Sequence, residues 1–204
     1  KYEYTPRNWV KTTTVQGDGK AYVTQHDYDK VGNEVRTVDP RGYETRREYD
    51  ALSRLVQVIY PAGNREWFEY DENGNRTAYT DGRMNRTEYS YDRYNRPVQT
   101  KDAKNGITTY AYDRWGNMTR MVNPLGHVSH YAYDELDRLI QETDSLGYVK
   151  EYRYDAVGNR IFSKDPNGTE SVYEYYPNNL VKKISMKNGT ETKTLEYWYD
   201  EAGY

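Results

Sequence analysis

Aromatic and polar residues alternate along short stretches of the chain, and this alternation predicts β-strands. In six stretches an aromatic ring lies two positions before a tyrosine, with a small or charged residue between them, as in Tyr110-Ala111-Tyr112. Residues i and i+2 point to the same face of a strand, so each stretch would place two rings on one face. We expect these two aromatic positions to form two ladders along one side of a sheet.

The second tyrosine of each stretch recurs every 21 residues, which predicts a repeat array. The eight copies are Tyr28, Tyr49, Tyr70, Tyr91, Tyr112, Tyr133, Tyr154 and Tyr175. A looser copy follows at Tyr199-Asp200. An unbroken period of this length is typical of one supersecondary unit stacked many times. We divide the chain into an irregular leading hairpin (1–27), a regular array (28–181) and a degenerate, truncated repeat (182–204), and interpret the whole as a piece of a longer polypeptide.

Each repeat contains a first turn that directly follows the repeat tyrosine. Aspartate opens it, because its carboxylate accepts hydrogen bonds from nearby backbone amides, and in alternate repeats glycine supplies the positive φ that closes it. The residues assigned to these turns are Asp29, Gly32, Asn33, Asp50, Asp71, Gly74, Asn75, Asp92, Asp113, Gly116, Asn117, Asp134, Asp155, Gly158 and Asn159. A strand of about five residues is predicted to follow, such as Leu55–Ile59, Met118–Val122 or Arg160–Lys164.

A second turn, with proline in its best copies, separates this strand from the next. Asp or Asn at the first place, Pro at the second and Gly at the fourth is type I turn chemistry. The assigned residues are Asp39, Pro40, Gly42, Pro124, Gly126, Asp165, Pro166 and Gly168. Two strands and two short turns fill 21 residues and leave no room for a helix. The predicted fold is therefore all-β, a continuous, curved or spiralling antiparallel sheet built from tandem hairpins.

A finer period of 42 residues lies within the array. The fifth residue after the repeat tyrosine alternates between asparagine and arginine through seven repeats, starting with Asn33 and Arg54. A stack of equivalent hairpins would not need this alternation. We expect successive first turns to meet different neighbours, as they would if alternate hairpins lay in different layers or leaned in opposite directions.

Composition excludes several classes of function. The chain has 25 tyrosines and a hydrophobic fraction of 35%, so its core is expected to consist of buried tyrosine rings whose hydroxyl groups reach water or a polar partner. A net charge of −3 with interspersed signs gives no electrostatic footprint for nucleic acid. The sequence contains no run of about 18 apolar residues, the length that would predict a membrane-spanning helix. The absence of cysteine excludes disulfides, thiolate metal sites and thiol nucleophiles.

No catalytic, cofactor or metal site is predicted. His127 and His130 have opposite strand parity, which makes a poor metal pair. Each first turn has one or two carboxylates, whereas a hard cation needs six or more oxygen ligands, so the aspartates are interpreted as turn caps. Because no repeat stands out from the others as a singular site, the segment is not expected to be an enzyme. Trp115 and Tyr94, which lie in first turns, are the candidates for contact with a glycan or another chain.

The Tyr-Asp-x-x-Gly-Asn-Arg motif at Tyr154–Arg160, the Asp-Pro-x-Gly turn at Asp165–Gly168 and the period of 21 together resemble the RHS/YD-repeat family. This family includes bacterial RHS proteins, the C components of insecticidal toxin complexes, and teneurins. The resemblance covers roughly Tyr22 to Tyr204. It implies a β-sheet that spirals into a hollow shell, which in bacterial members typically encloses a C-terminal toxin domain. The family's core-closing segment, with its self-cleaving aspartates, and its effector domain are not recognisable in this sequence.

The resulting prediction is a structural segment of a large protein exported by a bacterium to its surface or exterior. It would form part of a β-shell that encloses or presents an effector domain, with the other repeats of the same parent chain as its neighbours. The alternative is a surface fibre or glycan-binding adhesin that self-assembles through its unpaired sheet edges.

Overall fold

The computed structural model describes residues 1–200, which contain nineteen β-strands and no helix. The chain divides into two compact units, the first ending at Asn105 and the second beginning at Gly106. The all-β prediction is confirmed. The predicted strands Leu55–Ile59, Met118–Val122 and Arg160–Lys164 have the same bounds in the structure.

In the first unit every strand pairs antiparallel with the next strand along the chain. Its strands are β1 (Tyr2–Tyr4), β2 (Val10–Gly17), β3 (Lys20–Tyr28), β4 (Glu34–Val38), β5 (Glu44–Tyr49), β6 (Leu55–Ile59), β7 (Arg65–Tyr70), β8 (Arg76–Thr80), β9 (Arg86–Tyr91) and β10 (Pro97–Lys101).

The second unit has the same construction, again with antiparallel pairing in chain order. Its strands are β11 (Ile107–Tyr112), β12 (Met118–Val122), β13 (Val128–Tyr133), β14 (Leu139–Thr143), β15 (Val149–Tyr154), β16 (Arg160–Lys164), β17 (Glu170–Tyr175), β18 (Val181–Asn188) and β19 (Glu191–Glu196).

Both turns of a repeat have the same backbone geometry, a type I turn closed by a residue in the left-handed region. In a second turn, the Gly42 amide donates to the Asp39 carbonyl at 2.9 Å, and Gly42 has a φ of 85°. In a first turn, the Ser53 amide donates to the Asp50 carbonyl at 3.0 Å, and Ser53 has a φ of 61°. The residue before each Asn or Arg of the 42-residue period is therefore selected for this conformation.

A β-bulge follows the first turn. Tyr49 pairs with Leu55, whereas Glu48 pairs with Gln57, so Val56 has no opposite residue. The same register shift recurs beside the other repeat tyrosines, for example between Arg153 and Tyr154. A bulge of this kind increases the local twist and re-aims the side chains beside it.

The rings of the repeat tyrosines are half-buried rather than enclosed. Only Val58, Ala78 and Thr80 among residues 1–200 are buried, and Ala78 is the most buried of them at 1% exposure. Strand contacts within each unit join sequence neighbours, so side chains are covered by their own sheet and not by a facing layer. Partial burial still has a consequence, because it raises the pKa of Tyr49 and of Tyr133 above the ordinary phenol value.

The expected pair of continuous aromatic ladders is absent from residues 1–200. Between two residues of the described regular array, aromatic rings are in contact at Phe68 and Tyr79, with their centroids 5.3 Å apart. Equivalent positions of successive repeats lie two strands apart, roughly 9.5 Å, which exceeds the 4.5–7 Å of aromatic contact. Arginines bridge this gap: the Arg160 guanidinium lies 5.0 Å from the Tyr173 ring and 5.8 Å from the Tyr152 ring.

One second turn departs from the rule that the left-handed position is Gly or Asn. Met84 has a φ of 67° and is 70% exposed, so its side chain is strained without being packed. We expect Met84→Gly to stabilise the chain by about 0.5–1 kcal/mol, because the relief of left-handed strain exceeds the added entropy of glycine. Urea unfolding measures this change.

The matched control is Gly63, which holds the same position in the preceding second turn with a φ of 84° and open space around it. Gly63→Met should destabilise the chain by about 1 kcal/mol. Equal unfolding midpoints for Met84→Gly and the parent chain would contradict the strain assigned to Met84.

Candidate functional site: the Tyr-Asp edge

The first turns of the repeats line one end of the strands in each unit, and we call this row of turns the Tyr-Asp edge. It comprises residues 29–33, 50–54, 71–75 and 92–96 in the first unit and 113–117, 134–138, 155–159 and 176–180 in the second.

The aspartate of each turn organises the backbone around its carboxylate. In the first repeat Asp29 Oδ1 accepts from the amides of Val31, Gly32 and Asn33 at 2.8–2.9 Å, and Oδ2 accepts from Asn33 Nδ2 at 2.8 Å. In the arginine-type turn Arg54 replaces the asparagine and donates through Nε to Asp50 Oδ2 at 2.7 Å. These bonds fix the five-residue turn around one carboxylate.

The same hydrogen bonds stabilise the ionised carboxylates. The side-chain amide of Asn75 lowers the pKa of Asp71 below its usual range, and the Asn75 backbone amide adds to the effect. At Asp29 burial alone raises the pKa, but the hydrogen bonds from Asn33, Val31 and Gly32 outweigh it. The pKa is lowered in all seven aspartates of the series: Asp29, Asp50, Asp71, Asp92, Asp113, Asp134 and Asp155.

These shifts predict acid lability. A carboxyl group whose pKa is lower in the folded than in the unfolded state stabilises the fold above its unfolded pKa of about 3.9, and this contribution is lost as the pH falls through the folded value. We expect the urea midpoint to be level between about pH 7 and pH 5 and to drop steadily below about pH 4. A urea midpoint at about pH 3 equal to the midpoint at about pH 7 would contradict this interpretation. In Asp155→Asn, the urea midpoint should fall less steeply as the pH is lowered.

Asparagine-type turns are linked to the next turn through side chains. Nδ2 of the asparagine reaches the polar side chain that occupies the left-handed position twenty residues later. The pairs are Asn33 with Ser53 Oγ (3.1 Å), Asn75 with Asn95 Oδ1 (2.8 Å), Asn117 with Asp137 Oδ1 (2.6 Å) and Asn159 with Asn179 Oδ1 (2.9 Å). This link needs an acceptor at the left-handed position, which glycine lacks.

Arginine-type turns are linked to the next turn through the backbone. Arg54 Nη1 donates to the main-chain carbonyl of Asp71 at 2.8 Å, and Arg138 Nη1 donates to that of Asp155 at 2.7 Å. The Arg54 guanidinium also lies 4.8 Å from the ring of Tyr70. The 42-residue period thus reflects two kinds of link that alternate along the Tyr-Asp edge. The prediction that successive first turns meet different neighbours is confirmed. The layered arrangement suggested as its cause is wrong, since within each unit the alternate hairpins pair side by side in one sheet.

The repeat tyrosines supply a third link between repeats. In six of the eight, the hydroxyl donates to the main-chain carbonyl fifteen residues earlier, which belongs to the strand that follows the preceding first turn. The bonds are Tyr49 to Glu34, Tyr70 to Leu55, Tyr91 to Arg76, Tyr133 to Met118, Tyr154 to Leu139 and Tyr175 to Arg160, at 2.8–3.1 Å. Tyr28 makes the related bond to the Val10 carbonyl at 2.9 Å.

The remaining assigned residues close individual hairpins or lie at the end of the described chain. Asp39 Oδ1 accepts from the amides of Arg41 and Tyr43 at 2.8 and 2.9 Å, and the Gly168 amide donates to the Asp165 carbonyl at 2.9 Å. Gly126 closes the turn of Pro124 with a φ of 80°. The ring of Tyr199 packs edge-on against Tyr176 at 6.1 Å, and Asp200 follows it beyond the last strand.

Concavities interrupt the Tyr-Asp edge in the second unit. One, of about 380 Å³, is lined by residues 176–178 and 198–200. Another has a volume of about 420 Å³ and is lined by the first turns that begin at Asp113 and Asp134, together with Thr119 and residues 131–133. The exposed indole of Trp115 forms part of its wall. Sequence reasoning named Trp115 but not the concavity.

No metal-binding constellation occurs among residues 1–200. No three His, Cys, Asp or Glu side chains in that range are grouped to hold an ion. The Nδ1 atom of His26 contacts Glu34 Oε1 at 2.5 Å. No helix in the same range is long and apolar enough to cross a membrane.

Comparison with known proteins identifies the array. A family model described as Teneurin YD-shell matches residues 4–204. The chain belongs to this family. The resemblance to the RHS/YD-repeat proteins is thereby confirmed, and the chain is a segment of a structural β-shell. No curated protein sequence matches it.

Solved structures show the same YD-shell fold. The Tc holotoxin pore of Photorhabdus luminescens matches with a TM-score of 0.62 and 16% identity, over 89% of this chain and 13% of that chain. A complex of TcdB2-TccC3 with Cdc42 matches with a TM-score of 0.53 and 15% identity, over 99% of this chain and 15% of the other. TcdB2-TccC3 without its hypervariable C-terminal region matches with a TM-score of 0.52 and 14% identity, over 98% of this chain and 15% of that chain. The YD-shell segment therefore spans about one seventh of the length of these structures.

Proposed function

We propose that this YD-shell segment is a non-enzymatic wall element of an exported protein, and that the complete shell encloses or presents an effector domain. The observation that carries the proposal is the set of links that run from each repeat to the next. The repeat tyrosines, the asparagine-type turns and the arginine-type turns all bond forward or backward by one repeat. Most of the recurring residues of the repeat therefore join one hairpin to the next.

The chemistry of the described residues supports a structural role. The perturbed carboxylates are bound to backbone amides of their own turns, and such aspartates have few free lone pairs for acid–base work. The fold similarity to the Tc holotoxin pore and to TcdB2-TccC3 supports a place in a toxin-type shell. Export is proposed on the same likeness.

The test is cryo-electron microscopy of the intact parent polypeptide combined with peptide mapping of its sequence beyond residue 204. The proposal predicts a closing segment and a unique C-terminal domain, with this segment in the wall around that domain. The enclosed domain should resist a protease that cleaves it when it is expressed alone. A parent chain that ends in repeats or in a surface anchor, with no enclosed domain, would replace the shell proposal by a fibre or adhesin.

A matched pair of variants sharpens the protease experiment. Tyr154→Ala removes one inter-repeat link from the wall, whereas Tyr148→Phe alters an exposed tyrosine outside the links. We expect Tyr154→Ala, but not Tyr148→Phe, to speed cleavage of the enclosed domain. Equal cleavage rates in both variants and the parent would mean that this segment does not protect the effector.

A further inference from the structure

A polar cluster lies at the start of the array, on the face of the sheet that carries the repeat tyrosines. Two of its members, His26 and Glu34, hold positions that are apolar or aromatic in most other repeats. The counterparts of His26 are Arg47, Phe68, Tyr89, Tyr110, Tyr131, Tyr152 and Tyr173, and those of Glu34 are Leu55, Arg76, Pro97, Met118, Leu139, Arg160 and Val181. The combination of a histidine and a glutamate at these two positions occurs in this repeat alone.

Three side chains of the cluster are in contact one after another across β2, β3 and β4. Thr13 Oγ1 lies 3.3 Å from His26 Nε2, and Nδ1 of the same imidazole lies 2.5 Å from Glu34 Oε1. A carboxylate oxygen only accepts hydrogen bonds, so Nδ1 carries the proton of the neutral imidazole. Nε2 is then the acceptor and the Thr13 hydroxyl is the donor. The imidazole is thereby placed to take the proton of the hydroxyl.

Strand register and one ion pair hold the three side chains together. Thr13 pairs with Thr24, which is two residues from His26 and therefore on the same face of the sheet. Arg47 holds the other end of the carboxylate, because its Nη1 atom lies 2.9 Å from Glu34 Oε2. Glu34 is thus anchored through one oxygen and orients the imidazole through the other.

The cluster is shielded from bulk water without being closed off. The side chain of His26 is 18% exposed and that of Glu34 is 30% exposed. Thr13 is half-buried. Partial burial reduces the competition of water for these hydrogen bonds. A small reagent can still reach the Thr13 hydroxyl from solvent.

We propose that Thr13 is a nucleophilic site that accepts one acyl group from an activated ester. A hydroxyl nucleophile, a base within hydrogen-bond reach and a third group that orients the base are the elements of nucleophilic activation. Thr13, His26 and Glu34 fill these three places in that order. One acyl group per chain is a modification without turnover, so the inference is independent of the structural role proposed above.

The acyl transfer balances without a cofactor. Thr13 Oγ1 attacks the carbonyl carbon of the ester while His26 Nε2 takes the hydroxyl proton. The bond between the carbonyl carbon and the leaving oxygen then breaks, and the imidazolium returns its proton to the leaving group or to water. The acyl group remains on Thr13 as an oxygen ester. Glu34 is a positioning residue, which holds the imidazole and stabilises the imidazolium that forms.

The test is reaction of the 204-residue chain with p-nitrophenyl acetate. Mass spectrometry measures acetylation within the tryptic peptide 12–20, which contains Thr12, Thr13 and Thr14. Hydroxylamine removes acetyl groups held as oxygen esters and leaves those held as lysine amides. We expect Thr13 to be acetylated about a hundredfold faster than Thr12 or Thr14, because these neighbours point to the opposite face of the strand and lack the general base.

Two substitutions separate the base from the group that orients it. His26→Phe, which installs the residue type of Phe68, should slow acetylation of Thr13 about a hundredfold. Glu34→Leu, which installs the residue type of Leu55, keeps the base and should slow the reaction about tenfold or more. Nitrogen-15 NMR should show the imidazole proton on Nδ1 in the parent chain and the loss of that preference in Glu34→Leu. A merely structural role of Glu34 would leave the tautomer unchanged.

The matched control is Thr24→Val, which removes the hydroxyl directly opposite Thr13 in the sheet. It should keep the acetylation rate of Thr13 within about twofold. Circular dichroism checks the folding of each variant, and the comparison of Thr13 with Thr12 and Thr14 needs the parent chain only. Three results would overturn the proposal: equal acetylation of the three threonines, an unchanged Thr13 rate in folded His26→Phe, or acetyl groups confined to amines.

Discussion

Replacing Tyr154 by alanine should lower the free energy of unfolding by about 2–3 kcal/mol. The variant loses a half-buried ring, the Arg138 guanidinium 4.9 Å from its centroid, and the 2.8 Å hydrogen bond to the Leu139 carbonyl. The estimate lies below the cost of removing a fully buried aromatic side chain because the sheet covers the ring on one side only. Urea unfolding followed by far-ultraviolet circular dichroism measures the change.

A graded series separates the ring from the hydroxyl. Tyr154→Phe keeps the packing and removes the hydrogen bond, so it should cost about 1 kcal/mol. Tyr148 is 55% exposed, and no hydrogen bond joins its hydroxyl to any other described residue, so Tyr148→Phe should change stability by less than about 0.5 kcal/mol. Equal effects of Tyr154→Phe and Tyr148→Phe would contradict the tyrosine link.

Replacing Ala78 by leucine should destabilise the chain by about 1–3 kcal/mol through overpacking. Ala78 is 1% exposed and pairs with Glu69 on one side and Glu88 on the other. Arg86 joins the two glutamates, with Nη1 2.5 Å from Glu69 Oε1 and Nε 3.1 Å from Glu88 Oε1. These hydrogen bonds raise the pKa of the Arg86 guanidinium. A larger side chain at position 78 would displace this bridge.

The control for Ala78 is Ala132, which is exposed and pairs with the neutral Gln141 in the sheet. Ala132→Leu should change the free energy of unfolding by less than about 0.5 kcal/mol. The bridge over Ala78 consists of ion pairs near the surface, which salt screens. Added salt should therefore reduce the difference in the free energy of unfolding between Ala78→Leu and the parent chain. Equal destabilisation by the two substitutions would show that the bridge does not confine Ala78.

The repeat, the hairpins and the turn residues could be predicted from the sequence because local chemistry specifies them. Asp39, Pro40 and Gly42 each favour one position of a type I turn, and the strand Leu55–Ile59 is what remains between two such turns. The alternation of Asn and Arg was visible as a pattern. Its cause was not, because the partners of Asn33 and Arg54 lie in the next repeat and depend on strand register.

The contacts that depend on register could not be read from the period alone. The alternation of side chains between the two faces of a strand predicts two ring ladders, but it does not give the distance between the rings of successive repeats. The space between those rings is occupied by arginines such as Arg160. The bulge that leaves Val56 without an opposite residue follows from the turn geometry of the folded hairpin. The tyrosine hydrogen bonds lie beside these bulges, so they were missed as well.

The concavities of the Tyr-Asp edge could not be predicted from the sequence, because a repeat pattern gives no distances between side chains of adjacent repeats. Trp115 and Ala132 belong to adjacent repeats, and that they line one concavity becomes evident only when the hairpins are paired.

Side chains of one first turn bond directly to the next first turn along the Tyr-Asp edge. A double-mutant cycle on Asn75 and Asn95 tests it most directly, because Nδ2 of the first lies 2.8 Å from Oδ1 of the second. Asn75→Ala and Asn95→Gly, made singly and together, keep the turn backbone, since glycine tolerates the φ of 61° at position 95. We expect a coupling free energy of about 0.5–1 kcal/mol. A coupling below about 0.3 kcal/mol would contradict the claim that the turns are linked.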